Sequence, residues 1–243
     1  MSLTIVGIGP GAGEDLTGRA REALNSVDVI AGYTVYAKLL EEEFPDKQVI
    51  TTPMRKEVER CRLALEQAVT QKVAMVCSGD PGVYGMASLC FELASEFPPV
   101  EISVIPGVTA ATGGAALLGA PLTHDFAVIS LSDLMTSWDD ILSRVRAAAK
   151  TGLIMCLYNP VSHKRPDHLR EAVAIALEEL PADTVCGLAH NIGREGQFAE
   201  TCTLGELPDM GADMFTTVYI GNRTTKIIDG RMVTPRGYLQ RED

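Results

Sequence analysis

The amino-acid sequence predicts an α/β fold built from two α/β domains, the first with a parallel sheet and the second with a mixed sheet. Short apolar segments alternate with longer segments of helical periodicity, as they do where parallel strands are joined by helical crossovers. After about residue 196 the apolar segments become short and closely spaced, which is typical of antiparallel strands. The 243 residues also suffice for two small domains, which we place at residues 1–114 and 115–243.

The first domain is predicted to contain five strands and four helices. The strands are the apolar segments at residues 3–8, 27–31, 48–51, 73–77 and 100–105. The helices lie at 17–24, 35–42, 56–69 and 84–97, and either Asp15 or Thr17 can cap the first of them. Helix 56–69 has a clear amphipathic pattern, because its apolar residues recur at spacings of three and four and leave charged residues on the outer face.

The boundary between the domains falls in an Ala- and Gly-rich helix that ends near residue 118. Strands are then predicted at 126–131, 153–157 and 185–190, and helices at 138–149 and 168–180. We expect His168 to lie on the surface of its helix. The final strands are predicted at 197–204, 215–220, 226–229 and 231–233, and Asp229-Gly230 is a hairpin signal between the last two.

Composition excludes several classes of protein. The chain has 21 basic and 32 acidic residues and a net charge of −11, which argues against binding to nucleic acid but allows a local cationic site. No apolar run reaches the roughly 18 residues that span a bilayer, and the N-terminus lacks the features of a signal peptide. The six cysteines are scattered without a Cys-x-x-Cys pair, so we expect buried thiols in a reducing cytoplasm and no metal site.

Three Gly- and Pro-rich loops follow the first, fourth and fifth predicted strands. They are residues 7–12 (Gly-Ile-Gly-Pro-Gly-Ala), 78–85 (Ser-Gly-Asp-Pro-Gly-Val-Tyr-Gly) and 105–110 (Ile-Pro-Gly-Val-Thr-Ala). Because ligands of open α/β sheets bind beyond the carboxyl ends of the strands, these loops predict a cleft for a small molecule. We expect Asp80 either to bond a ribose hydroxyl or to cap the helix that follows.

The first loop also fits the fingerprint of dinucleotide-binding proteins. Two features argue against a nicotinamide or flavin site. Pro10 has no N–H group for a pyrophosphate, and the second strand ends near Tyr33 without the acidic residue that would bind a ribose. The helix also begins late, near Thr17, so its positive end does not lie directly behind the loop. A nucleotide-binding oxidoreductase module therefore remains only as an alternative.

In their order and spacing, the three loops resemble those of the class III, tetrapyrrole-type methyltransferases that use S-adenosylmethionine. Within this family the sequence is similar to the precorrin-3B and cobalt-factor III C17-methyltransferases of cobalamin biosynthesis. The further segments that carry this resemblance are 29–33, 57–61, 118–126, 129–134, 157–160 and 234–238, so it extends over nearly the whole chain.

The resemblance implies methylation of C17 with contraction of the macrocycle. It implies a homodimer of two-domain subunits, in each of which the methyl donor lies in the cleft between the domains. The local motifs do not separate a metal-free substrate from one that contains cobalt. An enzyme of the same fold that methylates another precorrin carbon is the alternative.

The resemblance also implies which residues bind S-adenosylmethionine. Matching the family's donor site position by position gives Pro10, Ser78, Gly79, Asp80, Val83, Thr109, Ala110, Asn159, Asn191 and Gly193. We expect mostly backbone contacts, which suit the glycines and the proline. Ser78 departs from the pattern, because many relatives have glycine there, but its hydroxyl should be tolerated.

Ring contraction requires proton transfers, for which the candidates are His124, Asp125 and Asp133. For His124 the alternative is a hydrogen bond to backbone at the interdomain turn. For Asp133 the alternative is to cap the helix that begins near Trp138.

The acetate and propionate groups of an anionic tetrapyrrole require cations in the site. Position in loops and likeness to the family favour Arg55, Lys56, Arg60 and Arg236. For Lys56 and Arg60 the alternative is a solvated helix face. Any cobalt would arrive inside the substrate.

Overall fold

In the first unit, Met1–Thr109, five strands form one parallel sheet. The computed structural model describes residues 1–11 and 13–238, so Ala12, the last residue of the first loop, lies outside the described residues. The order of the strands across the sheet is β3-β2-β4-β1-β5, and every neighbouring pair is parallel, as predicted. The strands are β1 (Ser2–Gly7), β2 (Val29–Tyr33), β3 (Gln48–Thr52), β4 (Lys72–Cys77) and β5 (Glu101–Ile105).

Helices cover both faces of this sheet. They are α1 (Gly18–Ser26), α2 (Thr34–Glu41), α3 (Glu57–Ala68) and α4 (Ala87–Leu93). The first two pack on one face through side chains such as Leu24 and Leu40, and the other two pack on the opposite face through Leu65 and Cys90. Thr17 caps α1, since its hydroxyl accepts a hydrogen bond from the N–H of Ala20 at 3.1 Å.

Helix α4 is shorter than predicted, because it begins at Ala87 instead of residue 84. Tyr84 has a φ of 53°, in the left-handed region that an α-helix excludes. At Gly85 an added Cβ would lie 2.5 Å from the carbonyl oxygen of Pro81, so the chain packs too closely there for a side chain. The end of the second loop thus remains a turn.

In the second unit, Ala110–Asp243, the larger sheet is mixed, as predicted. Its order is β10-β9-β11-β8-β7; only β7 and β8 are parallel among the described pairs, and the others are antiparallel. The strands are β7 (Phe126–Ser130), β8 (Ile154–Tyr158), β9 (Val185–His190), β10 (Phe198–Thr203) and β11 (Thr216–Ile220). A small second sheet contains β6 (Gly119–Ala120), β12 (Lys226–Ile228) and β13 (Arg231–Val233).

The hairpin predicted between β12 and β13 is confirmed. Asp229 and Gly230 both have positive φ angles, 48° and 73°, as the central residues of a type I′ turn require. This turn fixes the antiparallel register of the two short strands.

Three helices complete the second unit: α5 (Ala110–Leu118), α6 (Trp138–Thr151) and α7 (His168–Leu177). Helices α6 and α7 pack on one face of the larger sheet through residues such as Val145 and Val173. Helix α5 packs on the other face, around Tyr219. No helix in the described part of the chain is long and apolar enough to cross a membrane.

Candidate functional site

The three Gly- and Pro-rich loops of the first unit lie side by side. Because β1 is the neighbour of both β4 and β5 in a parallel sheet, the loops that leave these strands share one edge. The chain leaves β1 toward α1 on one face of the sheet and leaves β4 toward α4 on the other. Adjacent strands whose connections diverge in this way open a crevice at their carboxyl ends, where α/β proteins bind ligands.

Glycine allows the three loops to touch through their backbones. A Cβ added to Gly7 would lie 2.6 Å from the nitrogen of Gly107 and 2.6 Å from the carbonyl oxygen of Gly79. The N–H of Gly79 donates to the carbonyl oxygen of Gly9 at 2.7 Å, and a longer bond of 3.3 Å runs in reverse. Gly9 and Gly79 are both left-handed, with φ of 74° and 67°. The surface of this edge is therefore made largely of backbone.

Asp80 ties the second loop to the third. Its carboxylate accepts one hydrogen bond from the N–H of Gly82 at 2.8 Å and another from the N–H of Gly107 at 3.0 Å. Of the two alternatives for Asp80, the helix cap is wrong, because Met86 precedes α4 and no side chain caps it. The carboxylate instead satisfies backbone donors of two loops that are distant in sequence.

The other residues predicted to bind the donor in this unit lie on the same loops. Pro10 and Gly79 are buried, whereas Ser78, Val83 and Thr109 are half-buried. The Ser78 hydroxyl has no hydrogen-bond partner within residues 1–11 and 13–238. A half-buried hydroxyl without a protein partner is available to a ligand.

The structure disfavours a dinucleotide at the first loop. Helix α1 begins at Gly18, eight positions after Pro10, and a 3₁₀ turn at Gly13–Asp15 separates the two. The Thr17 hydroxyl already satisfies a donor of the helix N-terminus. The positive end of α1 is therefore not directed at the loop, as a pyrophosphate site requires.

In the second unit, two of the residues predicted to bind the methyl donor follow strands that run in the same direction and end at one edge of the sheet. Asn159 follows β8 and Asn191 follows β9, and both are left-handed, with φ of 54° and 48°. The side-chain amide of Asn159 donates to the Ser130 hydroxyl at 2.9 Å. Gly193 is also left-handed, and its N–H donates to the side-chain oxygen of Gln197 at 2.7 Å. Each residue thus sits in a tight, hydrogen-bonded turn.

Ala110, which is also predicted to bind the methyl donor, is the first residue of α5. Two tyrosines that the sequence analysis did not identify form hydrogen bonds with this end of the helix. The hydroxyl of Tyr219 donates to the carbonyl oxygens of Ala110 and Ala111 at 2.8 and 3.0 Å. The hydroxyl of Tyr158 accepts from the N–H of Ala111 at 2.6 Å. Burial raises the pKa of Tyr219 well above its usual range, so this hydroxyl remains a donor.

His124 and Asp125 lie in the exposed turn before β7. The His124 ring has no hydrogen-bond partner among the described residues, so the alternative of a backbone anchor is not observed there. The backbone carbonyl of Asp125 accepts from the N–H of Ile154 at 3.2 Å, and its side chain is exposed. Beside them, the Thr123 hydroxyl donates to the carbonyl oxygen of Thr234.

Asp133 does not cap a helix, because Ser137 accepts the hydrogen bond at the start of α6. Its carboxylate faces the Nε of Arg165 at 3.8 Å and the Nε2 of His168 at 4.0 Å. The expectation that His168 lies on a helix surface is wrong, since its side chain is only 13% exposed and stacks on Trp138. Periodicity missed this contact because the two rings are 30 positions apart in the chain.

The predicted cations of the first unit differ in their environments. Arg55 is exposed with a left-handed φ of 66°, and its N–H donates to the Glu57 carboxylate at 3.2 Å. Lys56 is exposed and pairs with Glu59 at 2.9 Å, as on a solvated helix face. Arg60 is only 6% exposed, so the solvated alternative is wrong for it.

The guanidinium of Arg60 makes hydrogen bonds within the protein. Its Nε donates to the Thr52 hydroxyl at 2.9 Å, and Nη2 donates to the Pro53 carbonyl oxygen at 3.0 Å. The group also lies 5.8 Å from the centroid of the Tyr33 ring. These contacts hold the segment that carries Arg55 onto α3.

Arg236 lies in a groove of the second unit with a volume of about 600 Å³. Its Nη1 donates to the Thr123 carbonyl oxygen at 3.1 Å. The groove is lined by Leu122, Thr123, Val233, Thr234, Pro235, Arg236 and Tyr238. A cation in an otherwise neutral groove is suited to a carboxylate.

Cysteines do not contribute a reactive or metal-binding group to the loops. Cys77 ends β4 directly before Ser78, and burial raises the pKa of its thiol to about 11. The described residues contain no group of three or more His, Cys, Asp or Glu side chains that could hold a metal ion.

Comparison with known proteins decides the family. Residues 2–208 match the model of the tetrapyrrole (corrin/porphyrin) methylases. The chain belongs to this family. It is therefore a methyltransferase, and the resemblance inferred from the three loops is confirmed.

Individual relatives match over nearly their whole length. The chain is 44% identical to a probable cobalt-factor III C(17)-methyltransferase of Salmonella typhimurium, covering 97% of this chain and 99% of the relative. It is 38% identical to a precorrin-3B C(17)-methyltransferase of Sinorhizobium, covering 98% and 97%. The crystal structure of the methyltransferase CobJ superposes with a TM-score of 0.90 at 34% identity, covering 96% and 99%.

Proposed function

We propose that the protein transfers a methyl group from S-adenosylmethionine to C17 of cobalt-factor III or precorrin-3B, with contraction of the macrocycle, in cobalamin biosynthesis. The observation that carries this proposal is the full-length similarity to relatives named for C17 methylation. The higher identity to the cobalt-factor III relative makes the cobalt-containing substrate the first to test. An enzyme that methylates a different carbon of the macrocycle is the second candidate. The three loops are proposed to bind S-adenosylmethionine, and they do not determine which carbon receives the methyl group.

The edge of the first unit fits a ligand that is held mainly by backbone. Contact between Gly7, Gly79 and Gly107 excludes side chains from the inner surface of the loops. The proposed donor contacts there are Pro10, Ser78, Gly79, Asp80, Val83 and Thr109. S-adenosylmethionine, when bound, supplies an electrophilic methyl group. The loops contribute orientation, which can supply about 7–11 kcal/mol of a methyl-transfer barrier in favourable cases.

For the second unit we propose donor contacts at Ala110, Asn159, Asn191 and Gly193. The last three have left-handed backbone and lie in the turns that follow β8 and β9. The Tyr219 hydroxyl donates to the carbonyl oxygen of Ala110, and the Tyr158 hydroxyl accepts from the N–H of Ala111, so the first turn of α5 is held in place. Each turn is thus ordered before a ligand arrives, which reduces the entropy lost on binding.

We propose that cations of both units bind the substrate's carboxylates. Arg236 has a groove beside it, and Arg55 and Lys56 are exposed. Arg60, with its guanidinium already bonded, contributes by holding the segment that carries Arg55. Proton transfers are assigned to His124, Asp125 and Asp133, of which Asp133 lies beside Arg165 and His168. A homodimer and a cytoplasmic location are also proposals, the latter supported by six unpaired cysteines.

Calorimetric titration with S-adenosylhomocysteine, with NADH as the control ligand, tests the donor site. We expect micromolar binding of S-adenosylhomocysteine alone. Ser78→Ala should weaken it several-fold without changing the free energy of unfolding, because the hydroxyl has no described protein partner. Ser95→Ala, at an exposed position away from the loops, is the matched control. Binding of NADH alone would overturn the proposal in favour of a dinucleotide module.

Anaerobic turnover then tests the substrate. We expect the mass of cobalt-factor III or precorrin-3B to increase by one methyl group, with the new methyl assigned to C17 by NMR. A methyl group on another carbon would replace the main proposal with the second candidate.

A further inference from the structure

His168 belongs to a compact polar cluster just beyond the end of β7, although the sequence predicts it to lie on a helix surface. Its imidazole and the Arg165 guanidinium both contact the Leu131 carbonyl oxygen, and both side chains face the Asp133 carboxylate. The Arg165 and His168 side chains are 15% and 13% exposed, whereas Asp133 is 39% exposed. The aspartate is thus the member of the cluster that a substrate can reach.

The orientation of the His168 ring is fixed on two sides. Trp138 stacks on it with the centroids 3.9 Å apart and the planes 21° from parallel, and the Trp138 Nε1 donates to Glu171 at 2.7 Å. The Nδ1 of His168 lies 2.9 Å from the Leu131 carbonyl oxygen. A carbonyl oxygen only accepts, so Nδ1 carries a hydrogen. The other nitrogen, Nε2, is the one that faces Asp133.

Nε2 faces a carboxylate oxygen of Asp133, an atom that can accept a proton. A lone pair on Nε2 would be repelled by the Asp133 carboxylate at 4.0 Å, whereas an N–H group is attracted to it. The other charged groups near the ring are Arg165, 3.8 Å from the same carboxylate, and Glu171, which is engaged by Trp138. Nε2 and the Asp133 carboxylate are therefore placed so that a proton can pass between them once the gap closes.

We propose that His168 is a positioning residue that supplies and takes back a proton through Asp133 during ring contraction; this proposal rests on the proposed function. In the forward step the N–H bond at Nε2 breaks and an O–H bond forms on Asp133. The carboxyl group then gives its proton to a basic atom of the macrocycle, and neutral His168 and ionised Asp133 remain. Proton release from the macrocycle follows the same route in reverse. The 4.0 Å gap must close to hydrogen-bond distance, as catalytic contacts commonly do when substrate binds.

His168→Asn tests this role, because an asparagine amide can keep the bond to the Leu131 carbonyl while Nε2 is lost. We expect a 10²- to 10⁴-fold fall in the single-turnover rate of ring contraction, with KM and the affinity for S-adenosylhomocysteine changed less than threefold. The pH profile of the wild-type rate should differ from that of the variant, because the variant lacks the imidazole that passes the proton. Arg170→Gln, at an exposed position on α7, is the control and should retain the wild-type profile.

A double variant tests whether Asp133 and His168 act in the same step. Asp133→Asn combined with His168→Asn should be no slower than the slower single variant, because the two groups act in one step. Additive losses, or a His168→Asn enzyme with a normal rate and pH profile, would overturn the role of His168. An equal loss of donor affinity and rate would also overturn it, since that pattern shows a structural role. Failure of the wild-type protein to bind S-adenosylhomocysteine would instead overturn the proposed function on which the inference rests.

Discussion

Gly107→Ala tests whether close contact between backbones shapes the sheet edge at which we propose that S-adenosylmethionine binds. Gly107 does not have a left-handed φ, so alanine meets no conformational penalty there. Its Cβ, however, would lie 2.2 Å from the carbonyl oxygen of Gly79 and 2.8 Å from the carbonyl carbon of Gly7. Both contacts are with backbone inside the sheet edge, which cannot rotate away as a flexible side chain can.

The expected magnitude follows from two contributions. Overpacking against a rigid neighbour costs about 1–3 kcal/mol. Displacement of the third loop also breaks the bond from the Gly107 N–H to the Asp80 carboxylate, and a bond to a charged group is worth about 1.5–3 kcal/mol. We expect the free energy of unfolding to fall by about 3–5 kcal/mol, a large share of the 5–15 kcal/mol typical of a domain.

Urea unfolding followed by circular dichroism measures this loss, and calorimetry measures the affinity for S-adenosylhomocysteine. Binding should weaken at least about tenfold, corresponding to roughly 1.4 kcal/mol, because the loops can no longer meet in the same geometry. Gly18→Ala is the matched control: no atom lies within 4 Å of its Cβ position, and alanine in α1 should leave stability unchanged or raise it by up to about 1 kcal/mol. A Gly107→Ala protein within 0.5 kcal/mol of the wild type, with equal affinity, would refute the packing argument.

Three further predictions concern caps, buried hydroxyls and thiols. Thr17→Ala should lower the free energy of unfolding by about 1 kcal/mol in urea titration through loss of the α1 cap, and an unchanged midpoint would contradict the assignment. Tyr219→Phe should cost about 1–3 kcal/mol in the same assay, because the carbonyl oxygens of Ala110 and Ala111 lose a donor; a cost below 0.5 kcal/mol would show that water replaces the hydroxyl. Burial raises the pKa of Cys77 to about 11 and that of Cys156 to about 12, so the stability these thiols contribute is present below about pH 8.5 and is lost as pH rises through those values. At pH 8 both should react with a disulfide reagent far more slowly in the folded protein than in guanidinium, and equal rates would show that the thiols are accessible.

Local patterns in the sequence were sufficient to predict most of the fold. Alternation of short apolar and longer amphipathic segments placed all five strands of the first unit within two residues of their observed starts, because burial of both sheet faces demands such runs. The Asp229-Gly230 hairpin was predicted from turn chemistry alone, and its positive φ angles confirm it. Helix α4 was predicted too long because the left-handed backbone at Tyr84 depends on the close approach of Gly85 to Pro81, which a helical pattern does not encode.

The roles of individual side chains were harder to predict, because they depend on partners distant in sequence. The sequence allows two roles for Asp80, a contact with a ribose or a helix cap. In the structure its carboxylate accepts a hydrogen bond from Gly107, which lies 27 positions away in the chain. Arg60 fits the charged face of an amphipathic helix, yet its guanidinium is buried by contacts with the segment before α3. His168 was misplaced for the same reason, since its ring is covered by Trp138 from another helix. Periodicity reports which face of an element is buried, and it contains no information about such contacts between elements.

The glycines of the family motif have a structural role that precedes any contact with a ligand. Gly7, Gly79 and Gly107 are required first because neighbouring backbone occupies the space of their Cβ atoms. Close packing of three loops at the switch point then leaves a surface made of peptide groups, which offers backbone hydrogen-bonding groups to a ligand. Loss of binding in a glycine variant therefore does not separate packing from recognition. Ser78→Ala separates them, because the Ser78 hydroxyl has no partner in the described chain and a loss of affinity in that variant would not come from the packing of the loops.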